Sequence, residues 1–121
     1  MTEHIPQKIY NLDERTLKFS RDIRSFVRHL PRTISNISDV KQLVRSSGSV
    51  GANYLEASES LSKKDFLLRI KISRKEAKES IYWLHLLDTG NIEQDKRKTS
   101  LIGECTELMK IFGSIITKST R

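Results

Sequence analysis

Apolar residues recur every three or four positions along four stretches of the chain, the period of an α-helix with one buried face. In the first, Phe19, Ile23, Phe26, Val27 and Leu30 are spaced +4, +3, +1, +3, which predicts a helix over 13–30 with Asn11 or Asp13 as its cap. Pro31 ends it, because the residue before a proline avoids the helical region. The second, expected over 39–60 after Ser38 or Asp39, presents Val40, Leu43, Val44, Ser47, Val50, Gly51, Tyr54, Leu55 and Ser58 as one small and apolar face. The third, over 63–88, opens with Ser62 as cap and Asp65 three residues on, carries Phe66, Ile70, Ala77, Ile81 and Leu84 in register, and stops at Gly90. The fourth, over 93–118, starts between Ile92 and Asp95 and repeats the period through Leu101, Cys105, Leu108, Met109, Phe112, Ile115 and Ile116.

Four amphipathic helices with short connections pack most simply as an all-α, antiparallel up-down-up-down four-helix bundle, a single domain over 1–121. One segment exceeds what such a bundle covers. "IYWLHLL", Ile81 to Leu87, is apolar or aromatic nearly all the way round, whereas a bundle helix buries only one stripe. Tyr82, Trp83, Leu86 and Leu87 are therefore candidates for an interface between copies, and the expected state is a homo-oligomer. Assigned to core or interface, Tyr82 and Trp83 leave little of the aromatic interleaving that single-strand readers use.

Composition narrows the surroundings and the partner. Lone Cys105 has no internal disulfide partner, the opening "MTEHIPQKIYNLDERT" lacks the apolar core of a signal peptide, and no apolar run reaches about 20 residues. A cytoplasmic protein without a membrane role is expected. The net charge is +7, from 22 basic and 15 acidic residues, and residues 61–80 alone hold 7 basic against 3 acidic. Two basic rows stand out: Arg21, Arg24, Arg28 and Arg32 in the first helix, and Lys64, Lys71, Lys75 and Lys78 in the third. Lys96, Arg97 and Lys98 form a cluster at the last connection. A charged row is ordinarily a solvated face, but rows of this kind also track the phosphates of RNA or DNA.

Catalytic motifs find little support. "GSVGAN" has neither a preceding strand nor the Gly-Lys-Ser/Thr ending of a phosphate loop. Ser49 has no local base, since the histidines are His4, His29 and His85. The segment reads instead as helix, where each glycine costs about 0.8–1 kcal/mol relative to alanine unless close packing returns it. The pairs Ser47/Gly51 and Gly48/Ala52, each four apart, are expected to admit a neighbouring helix. No Glu-x-x-His occurs for a di-iron site, and one cysteine with scattered histidines makes no zinc site, so no metal or cofactor is expected. The acid pairs Glu56/Glu59 and Glu76/Glu79, the second with Lys75 and Lys78 beside it, suit structural pairing better than acid–base chemistry. An enzyme is not expected.

The span Gln42 to Leu87 carries a specific string: Leu43, Arg45, Ser46, the run Ser49 to Asn53, Glu56, Ala57, Ser62, Lys63, Asp65, Phe66, Lys75, Glu76, Ala77, Glu79 and Tyr82 to Leu84. At these spacings it strongly resembles the bacterial four-helix-bundle family named for the 23S rRNA intervening-sequence protein. The first and fourth helices match it in pattern and length alone. The resemblance implies an up-down bundle assembled as a ring-like homopentamer, encoded in some members within inserts of the large-subunit rRNA gene. A related branch resembles the accessory proteins of diversity-generating retroelements, basic pentamers that bind a reverse transcriptase and nucleic acid. Enzymatic activity is not implied. This chain departs in Tyr54, where an aliphatic residue is common, and in Ser58 and Ser60. The resemblance also sets Asn53 and Glu56 opposite Lys75, Glu76 and Glu79, an expected polar layer fixing helix register.

Overall fold

The computed structural model describes residues 11–120, which form four α-helices and, among those residues, no strand. They are α1 (Leu12–Val27), α2 (Ile34–Ser58), α3 (Lys63–Leu86) and α4 (Ile92–Ser119). Residues 1–10, and with them the expectations for the leading segment and His4, lie outside the described residues.

Side-chain caps set three of the helix starts. Ser62 accepts from the Asp65 backbone N–H at 3.1 Å, as the sequence predicts, and Asn91 accepts from that of Gln94 at 2.9 Å. The start of α2 corrects the expectation of residue 39: Thr33 accepts from the Asn36 N–H at 3.1 Å, and the helix opens at Ile34. Its first turn buries the polar Asn36 while Ile34 and Ile37 face outward, so the apolar period there is inverted. The end of α1 also differs. His29 N–H and Leu30 N–H bond back three residues to Phe26 and Val27, tightening the chain into a turn before Pro31. Similarly, α3 stops at Leu86, short of 88, because Leu87 turns extended.

Each helix packs on its chain neighbours, and α4 closes on α1, so α1 and α3 occupy diagonal corners. Directions alternate: Ser46 meets Ser80 while Val50 meets Ser73, and Thr16 meets Gly51 while Ser20 meets Gly48. The core between them contains Phe19, Ile23 and Phe26 of α1, Leu43 and Val50 of α2, Ile70 and Leu84 of α3, and Leu108 and Phe112 of α4.

At one end of the bundle two turns are locked together by Asn36. Its Nδ2 donates to the Pro31 carbonyl at 2.8 Å and the Asp88 carbonyl at 2.9 Å, and its Oδ1 accepts from the Asp88 N–H at 3.0 Å. Beside it Gly90 takes φ +83°, and a Cβ there would stand 2.9 Å from Pro31. Glycine is required at that position both by conformation and by space.

Candidate nucleic-acid interface

The α2–α3 seam carries buried hydroxyls. Ser46 and Ser80 share a hydrogen bond of 2.7 Å, and Ser73 donates to the Val50 carbonyl at 2.9 Å. Small side chains let the two backbones approach, and each hydroxyl is satisfied, so burial carries no desolvation penalty left unmet. Beside them lies the polar layer, with a different α2 member from the one expected. Arg45, rather than Asn53 and Glu56, reaches Glu76 at 3.3 Å and donates to Glu79. Asn53 accepts instead from Arg69 at 3.0 Å, while Glu56 is exposed at the far end of α2. Lys75 points to solvent.

Glu79 also accepts from Trp83 Nε1 at 3.0 Å. That bond and the Arg45 guanidinium together hold its carboxyl below the usual carboxylate range. Trp83 is thereby fixed and half-buried, with Tyr82 edge-on to it at a centroid distance of 5.1 Å. The four residues assigned to a contact between copies therefore divide. Leu87 is 2% exposed and belongs to the core of its own chain, whereas Tyr82 is 58% and Leu86 47% exposed.

The glycine pairs divide as well. At Gly51 a Cβ would stand 2.8 Å from Thr16 Oγ1 and 3.0 Å from Thr16 Cβ, a close approach of α1 that only glycine permits. Gly48 leaves ordinary room under Arg24 and Ser20. Ser47 is buried, while Ala52 is exposed in the groove that Gly48 and Gly51 floor, bordered by Leu17 and Leu55.

The basic residues fall into three groups. In the Lys96–Lys98 cluster only Lys96 is free to face a ligand. Lys98 donates to the carbonyls of His85 at 3.2 Å and Leu87 at 3.0 Å, closing the α3 C-terminus, and Arg97 reaches Ser25 and lies 5.8 Å over the Phe26 ring. The expected arginine row on the first helix is shortened: Arg24 turns back onto Ser20, Arg21 and the C-cap Arg28 are exposed, and Arg32, also exposed, lies past α1 in the turn to α2. On α3, Lys64, Lys71, Lys75 and Lys78 are all exposed, and none makes a salt bridge among the described residues. At 1.5 Å rise per residue these four span about 21 Å. Because α1 and α3 are diagonal, the two rows point away from each other.

Among the described residues no helix is long and apolar enough to cross a membrane. No curated protein matches the chain. Among solved structures it is similar to a protein of unknown function from the S23 ribosomal protein family of Bacteroides thetaiotaomicron, with 30% identity and a TM-score of 0.75 over 92% of this chain and 99% of that one. The model of the 23S rRNA-intervening sequence protein family matches residues 10–114. With nearly the whole bundle matched and a relative of the same fold over almost its full length, the chain belongs to the 23S rRNA-intervening sequence protein family.

Proposed function

We propose that this protein is a non-enzymatic, cytoplasmic nucleic-acid-binding protein that grips a phosphate backbone along α3 and works as a homo-oligomer. The observation that carries this is the row Lys64, Lys71, Lys75 and Lys78, exposed, in line and without salt bridges among the described residues. Two of the carboxylates on α3, Glu76 and Glu79, are turned to Arg45 of α2 rather than paired with the lysines by a salt bridge. A pentamer is what the resemblance implies; the exposed Leu17 and Leu55 along the α1–α2 groove are apolar surface that a ring contact would cover. Such an assembly multiplies the lysine rows and with them the electrostatic attraction.

The test is a salt titration of RNA and DNA binding. For single strands log K falls with log salt at about −0.7 per phosphate neutralised. Lys71→Ala with Lys75→Ala should flatten that slope by about 1.4, and no binding by the unaltered protein at low salt overturns the proposal. A second function, that of an accessory scaffold for a protein such as a reverse transcriptase, is favoured by the same groove flanked by Leu17 and Leu55. It predicts partner capture that persists after the lysines are removed.

A further inference from the structure

Tyr82 lies in the same line as the lysines: from Lys64 the exposed positions run +7, +4, +3, +4 to Lys71, Lys75, Lys78 and Tyr82. Its ring is exposed but not loose. Trp83 packs against it edge to face at an interplanar angle of 75°, Glu79 accepts from Trp83 Nε1, and Arg45 of α2 pairs with Glu79. A chain of contacts thus anchors an open aromatic face at the end of a cationic row, and none of the four described helices covers it.

Resting on the nucleic-acid reading above, we propose that the α3 face is a single-strand site, with the lysines on one backbone and an unpaired base stacked on Tyr82. Single-strand sites combine a basic track with aromatic faces on which bases stack, and any base serves because every base has a π-face. A duplex hides its base faces inside its own stack and carries a second backbone. This surface offers one row of lysines only, the arginine row being turned away on the diagonal helix. Trp83 is a positioning residue here: its N–H bond to Glu79 holds the ring against which Tyr82 rests.

The experiment measures binding of oligothymidylate and oligouridylate of about 15 nucleotides, near the upper site size of one single-strand binding fold. A duplex and an abasic strand of equal length serve as controls. Tyr82→Ala should weaken binding to the single strands about 5- to 150-fold, while Tyr82→Phe keeps it. Duplex and abasic binding should be unchanged by either variant. Loss on both strands identifies the base face as what is read, and loss on oligouridylate alone assigns the ligand to RNA. The sole tryptophan adds a direct readout, since a base stacking on Tyr82 alters Trp83 emission. The inference falls if Tyr82→Ala binds single strands normally while the lysine variants do not, an outcome that leaves the broader function standing. It also falls if Tyr82→Ala lowers the mass of the assembly, which would make Tyr82 a contact between copies. If no nucleic acid binds, both proposals fall together.

Discussion

At Gly51 the Thr16 side chain of α1 comes so near that any added side chain must displace it, and its hydroxyl is buried and donates to the Leu12 carbonyl at 2.7 Å. Overpacking of this kind costs about 1–3 kcal/mol, against a gain of about 1 kcal/mol from replacing a helical glycine by alanine. Gly51→Ala should therefore lower the melting temperature. Gly48→Ala and Gly103→Ala, which meet only ordinary contact or open space, should each add about 1 kcal/mol. Thermal melts of the three variants decide this, and a stabilised Gly51→Ala would sink the close-approach explanation. The sequence announces two small-residue pairs in α2 but not which glycine meets Thr16, because that depends on the rotation of α1. Cys105 makes a second prediction. It donates to the Ala77 carbonyl at 3.1 Å, and burial pushes its thiol up to about 12 from an ordinary 9.0. The unfolded chain then ionises first, so the stability contributed by the protonated thiol is whole below pH 9 and is lost as pH rises towards 12. Chemical denaturation over that window should show a steeper decline for the unaltered protein than for Cys105→Ala.

Helices of this chain are joined by a few polar ties that periodicity does not reveal. Asn36 is the clearest: three hydrogen bonds hold the α1–α2 turn to the α3–α4 turn across 52 residues of sequence. Nothing local distinguishes it from the other polar residues around it, and its burial displaces the apolar pattern that would have marked the start of α2. Asn36→Ala removes a buried amide and leaves two part-buried turn carbonyls and one N–H without it. It should therefore cost at least the loss of one buried partner, about 1–3 kcal/mol, and rank among the more destabilising polar substitutions. Urea denaturation tests this; a loss near that of a typical surface substitution, within about 0.5 kcal/mol, would show that water replaces the side chain. The α1–α4 seam is tied by charge. Arg15 meets Glu104 through Nε at 2.7 Å and Nη2 at 2.8 Å, and also reaches Glu107 at 2.7 Å. The sequence did expose the cap at Ser62 and the four apolar stripes, because those are short-range signals, whereas α3 ends at Leu86, four residues before the glycine expected to stop it. Arg45 remained hidden as the partner of Glu76 and Glu79, since Asn53 and Glu56 share α2 with it and only the packed register chooses among them.

For the whole molecule, the closure of α4 on α1 decides which charges act together. The sequence counts eleven basic candidates, yet packing draws Arg97 and Lys98 against the bundle, turns Arg24 onto Ser20, sets Arg21 and Arg28 on the corner diagonal to the lysines, and leaves Arg32 in the α1–α2 turn. A ligand short enough to lie along one helix must therefore sense α3 and not α1. Combined Arg21→Ala, Arg28→Ala and Arg32→Ala should leave both affinity and salt slope for a short single strand unchanged, whereas each α3 lysine removed should lower the slope by about 0.7. Lys98→Ala should behave oppositely to a ligand contact. Freed α3 carbonyls lower the melting temperature, by an amount near the ~0.5–1.5 kcal/mol of one hydrogen bond, with the salt slope intact. If the α1 variant weakens short strands as much as the α3 variants do, both corners face one ligand. In that case the assembly of copies, rather than the single bundle, brings the two rows together.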